Sequence, residues 1–191
     1  MTVKNRIIFI LSATLAICAA YAGYLLNVQH HTQHPAEHLA APPVASIEPT
    51  IGSGSALAFW SFPDLTGAER HMTEWTGKLV VANFWATWCG PCRKEIPSFI
   101  ALQQRYADAN VQFVGIALDR AAAVQAFATE YGINYPLLIG EENVAKYMRA
   151  LGNTIGALPF SVLIGRDGKV LQTHQGEWKE ADVEQLISAS L

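Results

Sequence analysis

Leu79-Val80-Val81-Ala82-Asn83-Phe84-Trp85-Ala86-Thr87-Trp88-Cys89-Gly90-Pro91-Cys92-Arg93-Lys94-Glu95-Ile96-Pro97 runs from an uncharged, mostly apolar segment into two cysteines three residues apart. Residues 79–85 show no alternation, which is the pattern of a strand buried on both faces of a sheet. Pro91 suits the first turn of a helix, where its missing N–H costs nothing. A helix is therefore predicted over 91–108, with Ile96, Phe99, Ile100 and Leu102 apolar and Pro97 expected to kink it. A buried strand that opens directly into this helix places both sulfurs beside unpaired N–H groups and a partial positive charge. A thiolate is stabilised there, so Cys89 is expected to ionise more readily than a free thiol. Cys89 at the lip is expected to attack, and Cys92, one turn inside, to resolve the mixed disulfide. Trp88 offers an apolar wall beside the sulfur, and Gly90 and Pro91 complete the loop.

Two other uses of the pair are weaker. Half of a zinc site needs a second pair of ligands. No other cysteine stands beyond residue 55, and the histidines there, His71 and His174, lie apart without ligand spacing. A structural disulfide closing so small a loop restrains the unfolded chain little.

Working outward, residues 56–62 read as a short edge strand and 111–118, VQFVGIAL, as the next inner strand. Residues 120–131 are Ala-rich and helical, 135–139 a short strand and 141–151 a helix. Strands at 160–165 and 169–174 flank Arg166-Asp167-Gly168, a hairpin turn signal. Residues 179–191 close the chain as a helix with Val183, Leu186 and Ile187 on one face. Strand and helix alternate early and an antiparallel hairpin follows late. The expected class is α/β, with a mixed central sheet between helical layers.

The N-terminal part has a different character. Residues 7–26, IIFILSATLAICAAYAGYLL, carry no charge and follow Lys4 and Arg6. Twenty helical residues span roughly 30 Å, enough for a hydrocarbon core. No Lys or Arg follows until Arg70, so the charge asymmetry puts the N-terminus in the cytoplasm and the rest outside it. Residues 1–26 read as a single-pass signal-anchor. Ala20-Tyr21-Ala22 also fits a cleavage site, which leaves a cleaved periplasmic form open. Cys18 as a lipidated residue is a third possibility, poorly served by Ile17 before it. Residues 27–55 contain Pro35, Pro42, Pro43 and Pro49 and lack periodicity, which reads as a linker. His30, His31, His34 and His38 lie in it, either as a loose metal site or as a polar tether. Residues 56–191 form the globular domain.

Composition sets limits. The chain has 191 residues, 51% hydrophobic and 15% charged, with 13 Lys and Arg against 16 Asp and Glu for a net charge of −3. This balance argues against nucleic acid as a partner. Three cysteines do not make a disulfide scaffold.

The segment from Val81 to Pro97 resembles the active-site segment of the TlpA/ResA-type thioredoxin-like proteins, with the match most specific from Asn83 to Pro97. The resemblance implies a thioredoxin fold with a TlpA-type insertion within about 119–152, between the central strand–helix unit and the hairpin. It also implies that Leu158-Pro159 is a cis-proline loop facing the cysteines and pairing with an incoming peptide. Read from the residues alone, Pro159 is an ordinary trans proline at the start of a strand. Glu95 stands where the family places a glutamate associated with proton handling. It reads equally as an exposed first-turn carboxylate complementing the helix dipole. Asn83 stands where cytoplasmic thioredoxins carry a buried aspartate, and an amide cannot take the resolving thiol's proton.

The expected activity is thiol-disulfide exchange, mainly as a reductase of protein disulfides. No cofactor is expected beyond the redox-active disulfide Cys89–Cys92, and no metal. An upstream membrane electron donor must then re-reduce the pair. The resemblance implies cytochrome c maturation or metallochaperone reduction among the roles. A disulfide-donating oxidase and a copper-binding module on Cys89, Cys92 and the linker histidines are the alternatives.

Overall fold

A computed structural model describes residues 60–141 and 144–191. The expected anchor at 1–26, the linker with its histidines, Cys18 and residues 56–59 lie outside the described residues. Among the described residues no helix is long and apolar enough to cross a membrane.

The elements in order are β1 (Ser61–Pro63), β2 (Glu69–His71), β3 (Leu79–Trp85), α1 (Gly90–Arg105), β4 (Val111–Ala117), α2 (Ala121–Tyr131), β5 (Leu137–Ile139), α3 (Val144–Ala150), β6 (Phe160–Ile164), β7 (Val170–Gln175) and α4 (Glu180–Ser190). Five strands form one sheet in the order β5-β4-β3-β6-β7. β4 is parallel to β3 and to β5, while β6 is antiparallel to β3 and to β7. β3 is therefore central and wholly buried. Its side chains alternate between two cores. Leu79, Val81 and Trp85 pack with Ile96 and Phe99 of α1, Phe127 of α2 and Val183 and Ile187 of α4. Val80, Ala82 and Phe84 pack with Val144 and Met148 of α3 and with Trp60 and Phe62. The continuous apolar run at 79–85 is thus explained by two covered faces. Helices lie on both faces of a mixed sheet, as the expected class requires.

The N-terminal strand differs from expectation. β1 pairs antiparallel with β2 in a separate two-stranded sheet, and a bridge between Asp64 and Leu138 joins this hairpin to β5. The sequence reading did not contain β2. Its Glu-Arg-His composition lacks apolar alternation, and the hairpin turn is closed by the backbone and the side chain of Asp64, whose N–H donates to Ala68 O at 2.8 Å. Asp64 Oδ1 accepts the Thr66 and Ala68 N–H groups and the Thr66 hydroxyl. α1 is continuous through Pro97, so the proline expected to kink the helix does not interrupt it. The insertion region supplies α2, β5 and α3, with β5 shorter than expected.

Candidate active site

β3 ends at Trp85, and the chain turns immediately into α1, so the cysteines sit at the carboxyl end of the central strand. Cys89 N–H donates to Ala86 O at 3.1 Å, which tightens the turn. On the other side of the turn, the Thr87 N–H and hydroxyl both donate to Asp119 Oδ2, just beyond β4. Cys89 is the N-cap of α1, and its sulfur accepts the Cys92 N–H at 3.3 Å. Gly90 and Pro91 fill the first helical positions. The first turn holds no acid, and Arg93 and Lys94 follow Cys92 along the helix. This geometry stabilises negative charge on Cys89 when the pair is reduced.

Cys89 and Cys92 are joined as a disulfide with Cα atoms 5.3 Å apart. Cys92 has no exposure, Cys89 is 6% exposed and Trp88 is 70% exposed. Cys92 is the more buried of the two residues. Cys89 is nevertheless more covered than the exposed lip implied, and Trp88 stands out into solvent beside it. The Leu158–Pro159 peptide is cis. Pro159 is buried, Leu158 is half-buried, and Pro159 O accepts the Gly176 N–H at 2.9 Å.

Glu95 is not the exposed first-turn carboxylate that one reading allowed. It is 2% exposed, because its position on α1 faces the sheet rather than solvent. Oε1 accepts from Asn83 Nδ2 at 2.7 Å and Oε2 accepts the Trp178 N–H at 2.8 Å. Burial pushes its pKa up to about 7, against the pull of those two hydrogen bonds, and the Glu177 charge adds to the rise. A carboxyl that changes charge near neutrality, one helical turn from Cys92, is suited to carry a proton.

Asn83 explains the polar break in β3. By alternation it shares the α1 face with Val81 and Trp85. Its Nδ2 also donates to Ser161 Oγ at 3.0 Å, and Ser161 is its direct partner on β6. Its Oδ1 is buried without a hydrogen-bond partner. Three residues of this cluster were not singled out from the sequence as functional: Ser161, Trp178 and the half-buried His174. Ser161 had a signal, being a lone hydroxyl inside the apolar run FSVLI. Trp178 contributes through its backbone N–H, which no sequence pattern marks.

Against this geometry the comparisons are specific. The model for the family described as Redoxin matches residues 49–187. The chain belongs to the redoxin family. Among the relatives of this redoxin, thiol-disulfide oxidoreductase ResA of Bacillus cereus is 34% identical over 189 residues, covering 95% of this chain and 94% of the relative. ResA of Bacillus thuringiensis is 29% identical over 187 residues, covering 96% of each. A solved structure described as a putative thiol:disulfide interchange protein DsbE from Chlorobium tepidum superposes with a TM-score of 0.61 at 30% identity, covering 69% of this chain and 92% of that one. The fold is thus thioredoxin-like, of the TlpA/ResA type.

Proposed function

We propose that this thiol-disulfide oxidoreductase works mainly as a disulfide reductase of the cell envelope. One observation carries the reading: a Cys89–Cys92 pair capping a helix at the end of the central strand, with the neutralisable carboxyl of Glu95 buried one turn behind it.

The reduced Cys89 thiolate attacks one sulfur of a substrate disulfide. The substrate S–S bond breaks, a Cys89–substrate bond forms, and the other substrate sulfur leaves as a thiolate. Cys92 then gives its proton to Glu95 and attacks Cys89 Sγ. The mixed disulfide breaks, the second substrate sulfur leaves with the electron pair, and the Cys89–Cys92 disulfide remains. Two electrons have passed to the substrate. Glu95 holds the proton out of solvent until the next reduction returns it. Asn83 cannot take that proton, so the task rests on the carboxyl.

The substrate is a protein disulfide. Trp88 supplies an exposed apolar contact, and Gly90, Pro91 and the Leu158–Pro159 loop are the other residues expected to meet the incoming chain. An upstream membrane electron donor restores the dithiol, because an oxidising envelope does not. Residues 7–26, behind Lys4 and Arg6, fit a single-pass anchor with the catalytic domain outside the inner membrane. ResA and DsbE are the names carried by the relatives, and cytochrome c maturation is a role consistent with such a reductase.

The test is insulin reduction by the full chain, together with its fractionation. Turnover with dithiothreitol as donor and retention in membranes against high salt are expected. A mature N-terminus at Gly23 contradicts the anchor, and absence of turnover contradicts the reductase.

A further inference from the structure

A single peptide unit joins two polar groups that lie on opposite sides of it. The Trp178 N–H donates to Glu95 Oε2 at 2.8 Å. The carbonyl of that same peptide, Glu177 O, stands 3.2 Å from His174 Nε2. A carbonyl oxygen only accepts, so Nε2 is the donor. The His174 ring also lies flat against the Trp178 indole, with centroids 5.0 Å apart and planes 9° from parallel.

Sheet register explains the placement. Asn83 pairs with Ser161 across β3 and β6, and Ser161 pairs with His174 across β6 and β7. The three side chains therefore share the face that α1 covers. This row begins at the buried Asn83 beneath Glu95 and ends at half-buried His174. The loop between β7 and α4 passes over its outer end. Gly176 turns that loop with φ +94°, a region open to glycine, and donates to Pro159 O. Trp178 is buried in the core with Cys89 and Cys92.

We propose that His174 is a positioning residue for Glu95, holding the Glu177–Trp178 peptide so that its N–H stays on the buried carboxylate. The proposal rests on the reading of Glu95 as the proton-handling group of the dithiol. A donor on the carbonyl side polarises the peptide and strengthens the N–H bond on the other side. Loss of that donor weakens support for charged Glu95 and favours its protonated form. The other groups that bear on Glu95 are the Glu177 carboxylate, the Tyr135 phenol ahead of β5, the Asn83 amide and the cysteine pair on its own helix. None of them is substituted when His174 is replaced, and Glu177 is the one whose own backbone His174 contacts.

The test is a carbon-13 NMR titration of the Glu95 carboxyl in the oxidised protein. Glu95→Gln identifies the signal. His174→Phe keeps a flat ring and removes the donor, whereas His174→Gln keeps an N–H donor. His174→Phe is expected to move the Glu95 titration upward by about one pH unit, the size of a weakened bond to a charged carboxylate. His174→Gln is expected to titrate close to the wild type. A wild-type titration in His174→Phe overturns the proposal. Equal shifts in both variants also overturn it, because the loss they share is the imidazole with its charge and not the donor. The reading of Glu95 itself is decided separately, by thiol alkylation rate against pH in wild type and Glu95→Gln. Superimposable alkylation profiles remove Glu95 from proton handling, whatever the carboxyl titration gives.

Discussion

Asn83 Nδ2 stands 2.7 Å from Glu95 Oε1, a buried side-chain hydrogen bond between the central strand and the helix that carries the cysteines. The amide supports the carboxylate as a donor while its own Oδ1 stays buried without a partner. An orphaned buried acceptor costs about 1–3 kcal/mol. Protonated Glu95 offers a remedy. Its O–H can donate to the amide oxygen if the Asn83 amide turns over, so the same pair can accommodate both charge states.

Asn83→Asp places a second carboxyl against Glu95. Two carboxylates at that separation do not both ionise readily, and the pair will titrate as a unit. Stability relative to the wild type is expected to fall as pH rises from 5 to 8, by about 1–3 kcal/mol at the upper end. Chemical denaturation at the two pH values measures it. A pH-independent difference contradicts the contact.

Glu95 also makes the stability of the oxidised wild type depend on pH. Its folded pKa is about 7 against an ordinary value of 4.5, so the folded state binds the extra proton. The contribution of Glu95 is most favourable below pH 4.5, declines as pH rises through the interval and levels above about 7. Glu95→Gln removes this dependence. The variant is expected to gain on the wild type from pH 5 to pH 8, with a ceiling of about 3 kcal/mol. Melts that stay parallel across that range contradict a buried, raised carboxyl.

Cys89→Ser is expected to abolish insulin reduction, and Cys92→Ser to accumulate mixed disulfides that mass spectrometry can resolve. Retained turnover in Cys89→Ser reassigns the nucleophile.

Trp88 is exposed and contributes little to the core, so Trp88→Ala is expected to leave the melting temperature within the range of ordinary surface changes, about 0.5 kcal/mol. As an apolar contact for protein substrates, its loss is expected to lower kcat/KM for insulin by about tenfold, consistent with truncation of an aromatic anchor. Reduction of a small disulfide such as oxidised glutathione is expected to change much less. Equal losses on both substrates contradict a docking role.

Much of this was legible before any coordinates. The run at 79–85 announced a doubly covered strand because every residue but Asn83 is apolar. Pro91 after Cys89 announced the helix start. Arg166-Asp167-Gly168 announced the hairpin, and Gly165 N–H closes it on Lys169 O. β2 was not legible, since Glu69-Arg70-His71 carries no apolar pattern and the turn before it is held by Asp64. Glu95 was ambiguous for a clear reason. Its place three residues after Cys92 fixes its distance along the helix, but not whether that helix face points to solvent or to a sheet. Only the packing of α1 over Asn83 and Trp178 decides that. The relation of His174 to Glu95 was not legible because it passes through the Glu177–Trp178 backbone peptide, which no sequence pattern marks.

The most direct test of the account is the equilibrium reduction potential of the Cys89–Cys92 pair, titrated in a glutathione or dithiothreitol buffer. A reductase is expected to lie near the value of about −270 mV known for thioredoxin. A potential near the value of about −120 mV known for DsbA makes the pair a disulfide donor and contradicts the central claim.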